Sequence, residues 1–310
     1  MALHDAHCHF FSTRFFETLG RERAGGAPHS AEEVTAALGW DAPGPSEAVA
    51  DRWIAELDRH QVARAALMAS VPGDEESVAA AVARHPARLV GYFALNAAAP
   101  DAAERATRAF AQLGLRCACL FPAMHRYAIT DDRVVRIFEI AAAHGGALFV
   151  HCGYLSIEAR VRLGLRSSFD LRLGDPLAVA VTASRFPTVP VIIPHFGGGF
   201  LREALMAADV CPTIHLDTSS SNGWLKYVPG VTLADVFRRA LATAGSERLL
   251  FGTDSSYFPR GWRSVIHGTQ MAALDEIGVE PAVRTGIMSG NFDRIFPSRA
   301  PQQQTVSEPL

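Results

Sequence analysis

Two histidines stand one residue apart near the start of the chain, in D-A-H-C-H-F (residues 5–10). On a β-strand, residues i and i+2 point to one side, so His7 and His9 would hold two imidazoles together while Cys8 faces away. A lone H-x-H pair is weak evidence for a metal site, but three more ligand-type residues end apolar runs further along. They are His151 in A-L-F-V-H-C-G, His195 in V-I-I-P-H-F-G-G-G and Asp254 in L-L-F-G-T-D-S-S. Imidazoles with a carboxylate suit Zn²⁺ first, with Mn²⁺, Fe²⁺ or Co²⁺ as alternatives, provided one position stays open for water. Such an ion would bring the pKa of bound water toward neutrality and make hydroxide available. Asp254 could bind the ion and accept the water's proton. His195 could be a ligand, or could orient the hydroxide and stabilise charge on the substrate.

Whether these residues meet depends on the elements that carry them. Eight short apolar runs, at 2–8, 64–70, 88–95, 116–121, 147–152, 189–195, 213–219 and 248–254, alternate with amphipathic segments at 46–60, 74–85, 101–114, 131–145, 175–186, 199–209, 233–245 and 262–278. In the fourth of these segments Val134, Ile137, Phe138 and Ala141 recur at helical spacing. Strands alternating with helices predict parallel β-α units, and eight units predict an α/β fold of the (β/α)₈ barrel class. In that fold the strand ends share one mouth, so His7, His9, His151, His195 and Asp254 are expected to converge. No G-x-G-x-x-G follows the first run, which disfavours an open dinucleotide-binding sheet. A single domain is expected over 1–297, with a long Gly/Pro-rich functional loop or lid at about 10–45. The segment 291–296 reads as a closing helix and 298–310 as a flexible tail.

Composition narrows the function further. Of 310 residues nearly half are apolar and a fifth charged, enough for a large core, and the formal net charge is −3. No basic footprint for nucleic acid, charged tail, membrane-length apolar run or leader is visible. Neither nucleic acid nor a bilayer is expected as partner, and the reading is cytoplasmic. Cys8, Cys117, Cys119, Cys152 and Cys211 form no C-x-x-C pair and are odd in number, which argues against a disulfide framework.

D-A-H-C-H-F, F-V-H-C-G, I-P-H-F-G-G-G and G-T-D-S together resemble the amidohydrolase superfamily, in the branch that includes aminocarboxymuconate semialdehyde decarboxylase. The resemblance runs from residue 5 to the 291–296 segment. It implies that His7, His9, His151 and Asp254 bind one metal ion and that His195 assists. Two-metal members often carry a carboxylated lysine at the end of strand four; here C-A-C-L-F-P-A-M-H has none, so a single ion is expected.

Substrate recognition is assigned to the loops. Arg14, His125, Arg126, Trp224 and Arg260 are the candidates for binding a carboxylate and a ring, with Asn222 and Lys226 beside them. Gly197, Gly198 and Gly199 would let backbone approach an anion or would simply make a tight turn. His215 reads as a packing residue on the strand face opposite the mouth. The expected activity is hydrolysis of a small amide, ester or lactone by metal-bound hydroxide, with Asp254 passing the proton to the leaving group. The resemblance implies a second reading, non-oxidative decarboxylation of an aromatic or unsaturated acid with the same ligands. A catalytically silent barrel with a structural ion is disfavoured, because structural zinc sites are closed and often cysteine-rich. The partner is a small molecule, a carboxylic acid among the choices, and a homo-oligomer is compatible with the chain.

Overall fold

The computed structural model describes residues 2–23 and 29–298. Its strands are β1 (His4–Phe10), β2 (Arg64–Ala69), β3 (Leu89–Leu95), β4 (Cys117–Leu120), β5 (Ala147–Val150), β6 (Val191–Ile193), β7 (Ile214–Asp217) and β8 (Leu249–Leu250). They pair in sequence order and all in parallel. Beyond β8 a parallel bridge from Ser255 to Cys8 brings the sheet back to β1. With a helix after each strand this is a single-domain (β/α)₈ barrel, as the sequence predicts.

The strands read as continuous apolar runs because both of their faces are covered. One face packs outward under the helices, where Trp53, Leu57, Phe93, Phe138, Phe196 and Phe237 are buried. The other fills the barrel interior with Met68, Tyr92, Cys117, Cys119, Phe149, Ile192 and Leu250, closed below by Phe292 and Phe296 of helix Asn291–Ile295 and its end. All five cysteines are buried and free. The eight expected outer helices appear, several with the caps their sequences announce. Thr232 and Asp235 form a capping box on Leu233–Ala244, and Asp131 caps Asp132–His144, which ends at the left-handed Gly145. Among the described residues no helix is long and apolar enough to cross a membrane.

The structure departs from expectation in two places. The segment read as a loop at 10–45 contains helices Thr13–Glu22 and Ala31–Leu38, capped by Ser12 and by a Ser30/Glu33 capping box. Their apolar faces (Phe15, Phe16, Leu19, Val34, Leu38) join Trp40 and, from the connection after β5, Ala159 and Leu163 in a separate small core above the mouth. Of the described glycines and prolines in the segment, Gly39, Pro43, Gly44 and Pro45 lie beyond these helices, whereas Gly20 lies on the buried face of the first. The tail expected over 298–310 lies, beyond Ser298, outside the described residues. The ladders of β5, β6 and β8 also stop short of the apolar runs, so that His151, His195 and Asp254 fall just past them. His195 and Asp254 have φ of 56° and 58°, a left-handed backbone that cannot extend a strand.

Candidate active site

The pair that opens the sequence is aimed by a bulge. β1 pairs with β2 as Asp5 with Ala65 and then Cys8 with Leu67, one residue more on β1 than on its partner. Ala6 packs with the barrel interior, whereas Asp5 reaches the outer-layer Trp262 and Cys8 packs in the outer core. The extra residue lets His7 follow Ala6 inward, and alternation then brings His9 to the same mouth. Asp5 pins the bulge. Its buried carboxylate accepts from the His7 backbone N–H (2.9 Å), the Thr253 N–H (3.1 Å), the Thr253 hydroxyl and the Trp262 indole (2.7 Å). It thus ties β1 to the segment that ends at Asp254, whose own N–H donates to the His7 carbonyl at 2.8 Å.

The ring nitrogens on this side are individually held. His7 Nδ1 donates to Asp217 Oδ2 at 2.7 Å, with Ser219 Oγ at 2.9 Å. His9 Nδ1 lies 2.7 Å from Ser70 Oγ, whose hydroxyl donates to the Met68 carbonyl and so accepts from the ring. With Nδ1 protonated on both histidines, both Nε2 atoms present lone pairs to one carboxylate oxygen, Asp254 Oδ1, at 3.6 Å from His7 and 3.0 Å from His9. Three acceptors around one point require a shared cation, a proton in the bare protein or a metal ion in its place. His7, His9 and Asp254 offer ligand atoms within 4.8 Å of one another. A second group, His7, His195 and Asp217, meets the same spacing, but there Asp217 and His7 already satisfy each other by a buried hydrogen bond, and the first group is the better fit to an ion.

Charge follows this wiring. Burial works against ionisation of His7, yet Asp217, by charge and hydrogen bond, outweighs it and pushes the pKa up to about 9. Burial likewise opposes charge on Asp254 and Asp217, and the neighbouring histidines hold both carboxyls below the ordinary range. Across the mouth His151 and His195 are kept neutral, chiefly by burial. His195 Nδ1 meets Ser219 Oγ at 2.8 Å. Among the described residues His151 Nδ1 is buried without a hydrogen-bond partner, the ring stacked on Phe121 at 5.6 Å and 5.5 Å from the ring of His195. His151 lines the same cavity as the cluster but is in neither group of residues at ligand spacing.

All five residues line one cavity of about 430 Å³ at the barrel mouth. Its walls include Phe11, Phe15, Trp40, Phe121, Phe149 and Trp224, and its cations are Lys226, Arg260 and Arg263. Phe15, Phe11, Trp40 and Tyr257 form a ladder of near-parallel rings (3.9, 6.0 and 3.7 Å between successive centroids), and the Arg260 guanidinium lies 4.2 Å over the last. Of the predicted substrate residues, Trp224 and Arg260 lie in this lining. Arg14 is exposed beside Gly73, Arg126 is exposed and donates to the Ser168 carbonyl, and His125 stacks on Tyr127; none of the three lines the cavity. Gly198 approaches protein backbone: a Cβ there would lie 2.7 Å from the Cys152 carbonyl oxygen, so the triple glycine is first a tight turn against the strand-five connection. His215 shares the inward face of β7 with Asp217, contrary to the parity expected, but one layer lower, its Nδ1 donating to the Thr213 carbonyl. Sequence reasoning missed Asp217, Ser219, Ser70 and Arg263. Asp217 was findable, as a carboxylate ending the strand-seven run.

A family model described as amidohydrolase matches residues 4–297. The chain belongs to the amidohydrolase family. Solved structures similar to this family member include 5-carboxyvanillate decarboxylase from Sphingomonas paucimobilis, with 17% identity, 96% of this chain and 99% of that one covered, and a TM-score of 0.64. A dihydroxybenzoic acid decarboxylase from Polaromonas sp. JS666, with bound manganese and 2-nitroresorcinol, matches at 18% identity, 96% and 98% coverage and a TM-score of 0.62. A probable 2-pyrone-4,6-dicarboxylic acid hydrolase from Acinetobacter baumannii, with citric acid bound, matches at 14%, 96% and 99%, with a TM-score of 0.62. At these identities the likeness is one of fold. No curated protein matches in sequence.

Proposed function

We propose that this amidohydrolase is a metal-dependent enzyme that removes CO₂, without redox change, from a small planar aromatic or unsaturated carboxylic acid. The observation that carries this reading is a single cavity holding the His7, His9 and Asp254 cluster, a run of aromatic walls and an arginine. The lining favours decarboxylation over hydrolysis of an amide, ester or lactone, the reading placed first from sequence. The similar folds that decarboxylate aromatic acids are consistent with it.

One divalent ion would be held by His7 Nε2, His9 Nε2 and Asp254, with His151 facing it. When bound it supplies a Lewis acid that holds and polarises the acid's oxygen atoms. The rest is the work of the chain. Phe11, Phe15 and Trp40 orient the ring plane, and Arg260 attracts the anion. Phe121, Met124 and Phe149 exclude water and accept neutral CO₂ better than a carboxylate. The bond between ring carbon and carboxyl carbon breaks with its electron pair left on the ring. That carbon takes a proton delivered through the Asp254 carboxyl, His195 supports the developing charge, and CO₂ departs.

Hydrolysis of an unsaturated lactone acid is the second reading, because the same cations and walls accept it; Asp254 would then carry the proton of the attacking water to the leaving oxygen. Metal-loaded enzyme is to be screened on aromatic acids, lactones and amides in D₂O and in H₂¹⁸O. CO₂ release with deuterium on the product carbon is the expected result. Label from H₂¹⁸O in a new carboxyl group, with every aromatic acid intact, would sink decarboxylation and promote hydrolysis.

A further inference from the structure

Arg263 lines the cavity, is partly buried, and its guanidinium makes no hydrogen bond or ion pair among the described residues. An arginine does not shed its charge on burial, so a desolvated guanidinium needs an anion. The chain has built its position firmly. The Arg263 N–H donates to Ser255 Oγ at 2.9 Å, the preceding Trp262 N–H donates to Glu56 Oε1 at 3.0 Å, and the Trp262 indole is held by Asp5. Arg260 lies in the same lining, held over Tyr257 and donating to Ser256, with its Nε buried and, among the described residues, unpartnered. The two guanidinia line one cavity, and burial first, with the Arg260 charge second, pulls the Arg263 pKa down.

The anions at hand do not satisfy them. Asp254 belongs to the cluster with His7 and His9. Glu158 lies 3.3 Å from Arg260, but it is shared with Arg162 at 2.8 Å and sits in the connection after β5 that covers the mouth. Two guanidinia from one turn of chain, one bare and one half-satisfied, can be completed by a group that enters the cavity.

We infer that Arg263, together with Arg260, is the receptor for a second carboxylate, the one that does not react, and that the enzyme therefore selects planar dicarboxylic acids over monocarboxylic ones. This rests on the proposed reading only in taking the substrate to be an acid. The reacting carboxylate sits at the His7, His9 and Asp254 cluster, and the spectator carboxylate displaces Glu158 from Arg260 and pairs with Arg263.

The test is calorimetric titration of the full-length, metal-loaded protein with isophthalate and with benzoate, beside Arg263→Met and Arg263→Lys. Wild type is expected to bind isophthalate at least about tenfold tighter than benzoate, on the scale of one charge-assisted pair. Arg263→Met should abolish that preference while leaving benzoate affinity within about twofold, and Arg263→Lys should restore part of it. Unchanged melting temperature and metal content establish that the variants are folded. Equal binding of the two acids by wild type, or equal weakening of both by Arg263→Met, would overturn the inference. The failures separate: isophthalate preference with no acid ever yielding CO₂ defeats the proposed reaction and leaves the receptor standing. Decarboxylation of monocarboxylic acids, indifferent to Arg263→Met, does the reverse.

Discussion

Where β8 returns to β1, the Nδ1 atoms of both histidines have fixed partners, His7 on Asp217 and His9 on Ser70, and the intervening backbone is pinned by Asp5. Across the mouth, past β5, His151 keeps a buried Nδ1 with no partner among the described residues. The difference is between a side whose geometry is settled by the chain alone and a side whose polar cost is left for a bound group to relieve. On the proposed reading, rigid orientation on one side would fix the place of an ion, and the histidine opposite would be free to complete its shell without competing for protein hydrogen bonds.

Metal-free stability breaks or upholds that contrast most directly. His7→Ala removes the partner of a fully buried carboxylate, Asp217, and by the usual cost of breaking a buried pair should lose about 3 kcal/mol in the chelated protein. His151→Ala removes a nitrogen that nothing satisfies and should change the chelated protein by no more than about 1 kcal/mol. Both variants should lose bound metal by elemental analysis, and with it activity. Urea unfolding curves that shift equally for the two would erase the distinction between the sides.

Asp217 sharpens the same contrast at the level of affinity. Asp217→Asn keeps the size and one acceptor but removes the charge that fixes the His7 tautomer, so metal affinity in competition with a chromogenic chelator should fall about 10- to 100-fold with the fold intact. An unchanged affinity would mean that Asp217 serves only the folded state.

What the sequence made legible follows from the range of each interaction. Strand ends and helix caps are local, so the barrel and the convergence of His7, His9, His151, His195 and Asp254 could be read from periodicity and terminal residues. The bulge could not, because it shows itself only in pairing with β2, and strict alternation hides it. Ser219 and Asp217 meet His7 across more than two hundred residues, a closeness that only barrel closure creates. Arg14 and Arg126 were chosen for charge and for lying in loops at the right end. Loop charge does not say which way a side chain turns: on the last connection Arg260, chosen on the same grounds, turns in, and so does Arg263, which was not chosen.

The barrel's lower interior supplies a third test, weaker and purely protonic. Burial holds His215 down to about 4, against 6.5 for the free side chain. Between these values the unfolded chain takes up the proton and the folded chain does not. Stability from this group is therefore complete above about pH 6.5 and drains as pH falls toward 4, by about 1–2 kcal/mol at pH 5. His215→Asn should flatten the acid limb of the stability profile over that window while leaving metal binding at the mouth unaltered. An acid limb identical to wild type would show that other groups set it.

The smallest effect expected is at Arg126, and it tests whether the cavity seen here is the one that substrate meets. The side chain is exposed, its guanidinium donates to the Ser168 carbonyl at 2.8 Å, and it stands outside the cavity lining, unlike Arg260. Removing a solvated surface contact of this kind costs within about 0.5 kcal/mol, so Arg126→Ala should alter KM less than about twofold for any acid the enzyme turns over. Arg260→Ala, by contrast, should raise KM at least about tenfold, because it deletes a guanidinium that faces the substrate in a partly desolvated space. Steady-state kinetics on the pair decide the matter. A tenfold rise in KM at Arg126 would mean that the segment joining it to Ser168 folds over the mouth during turnover and that the pocket extends past Phe121 toward the connection after β4, from which the sequence reading draws His125 and Arg126.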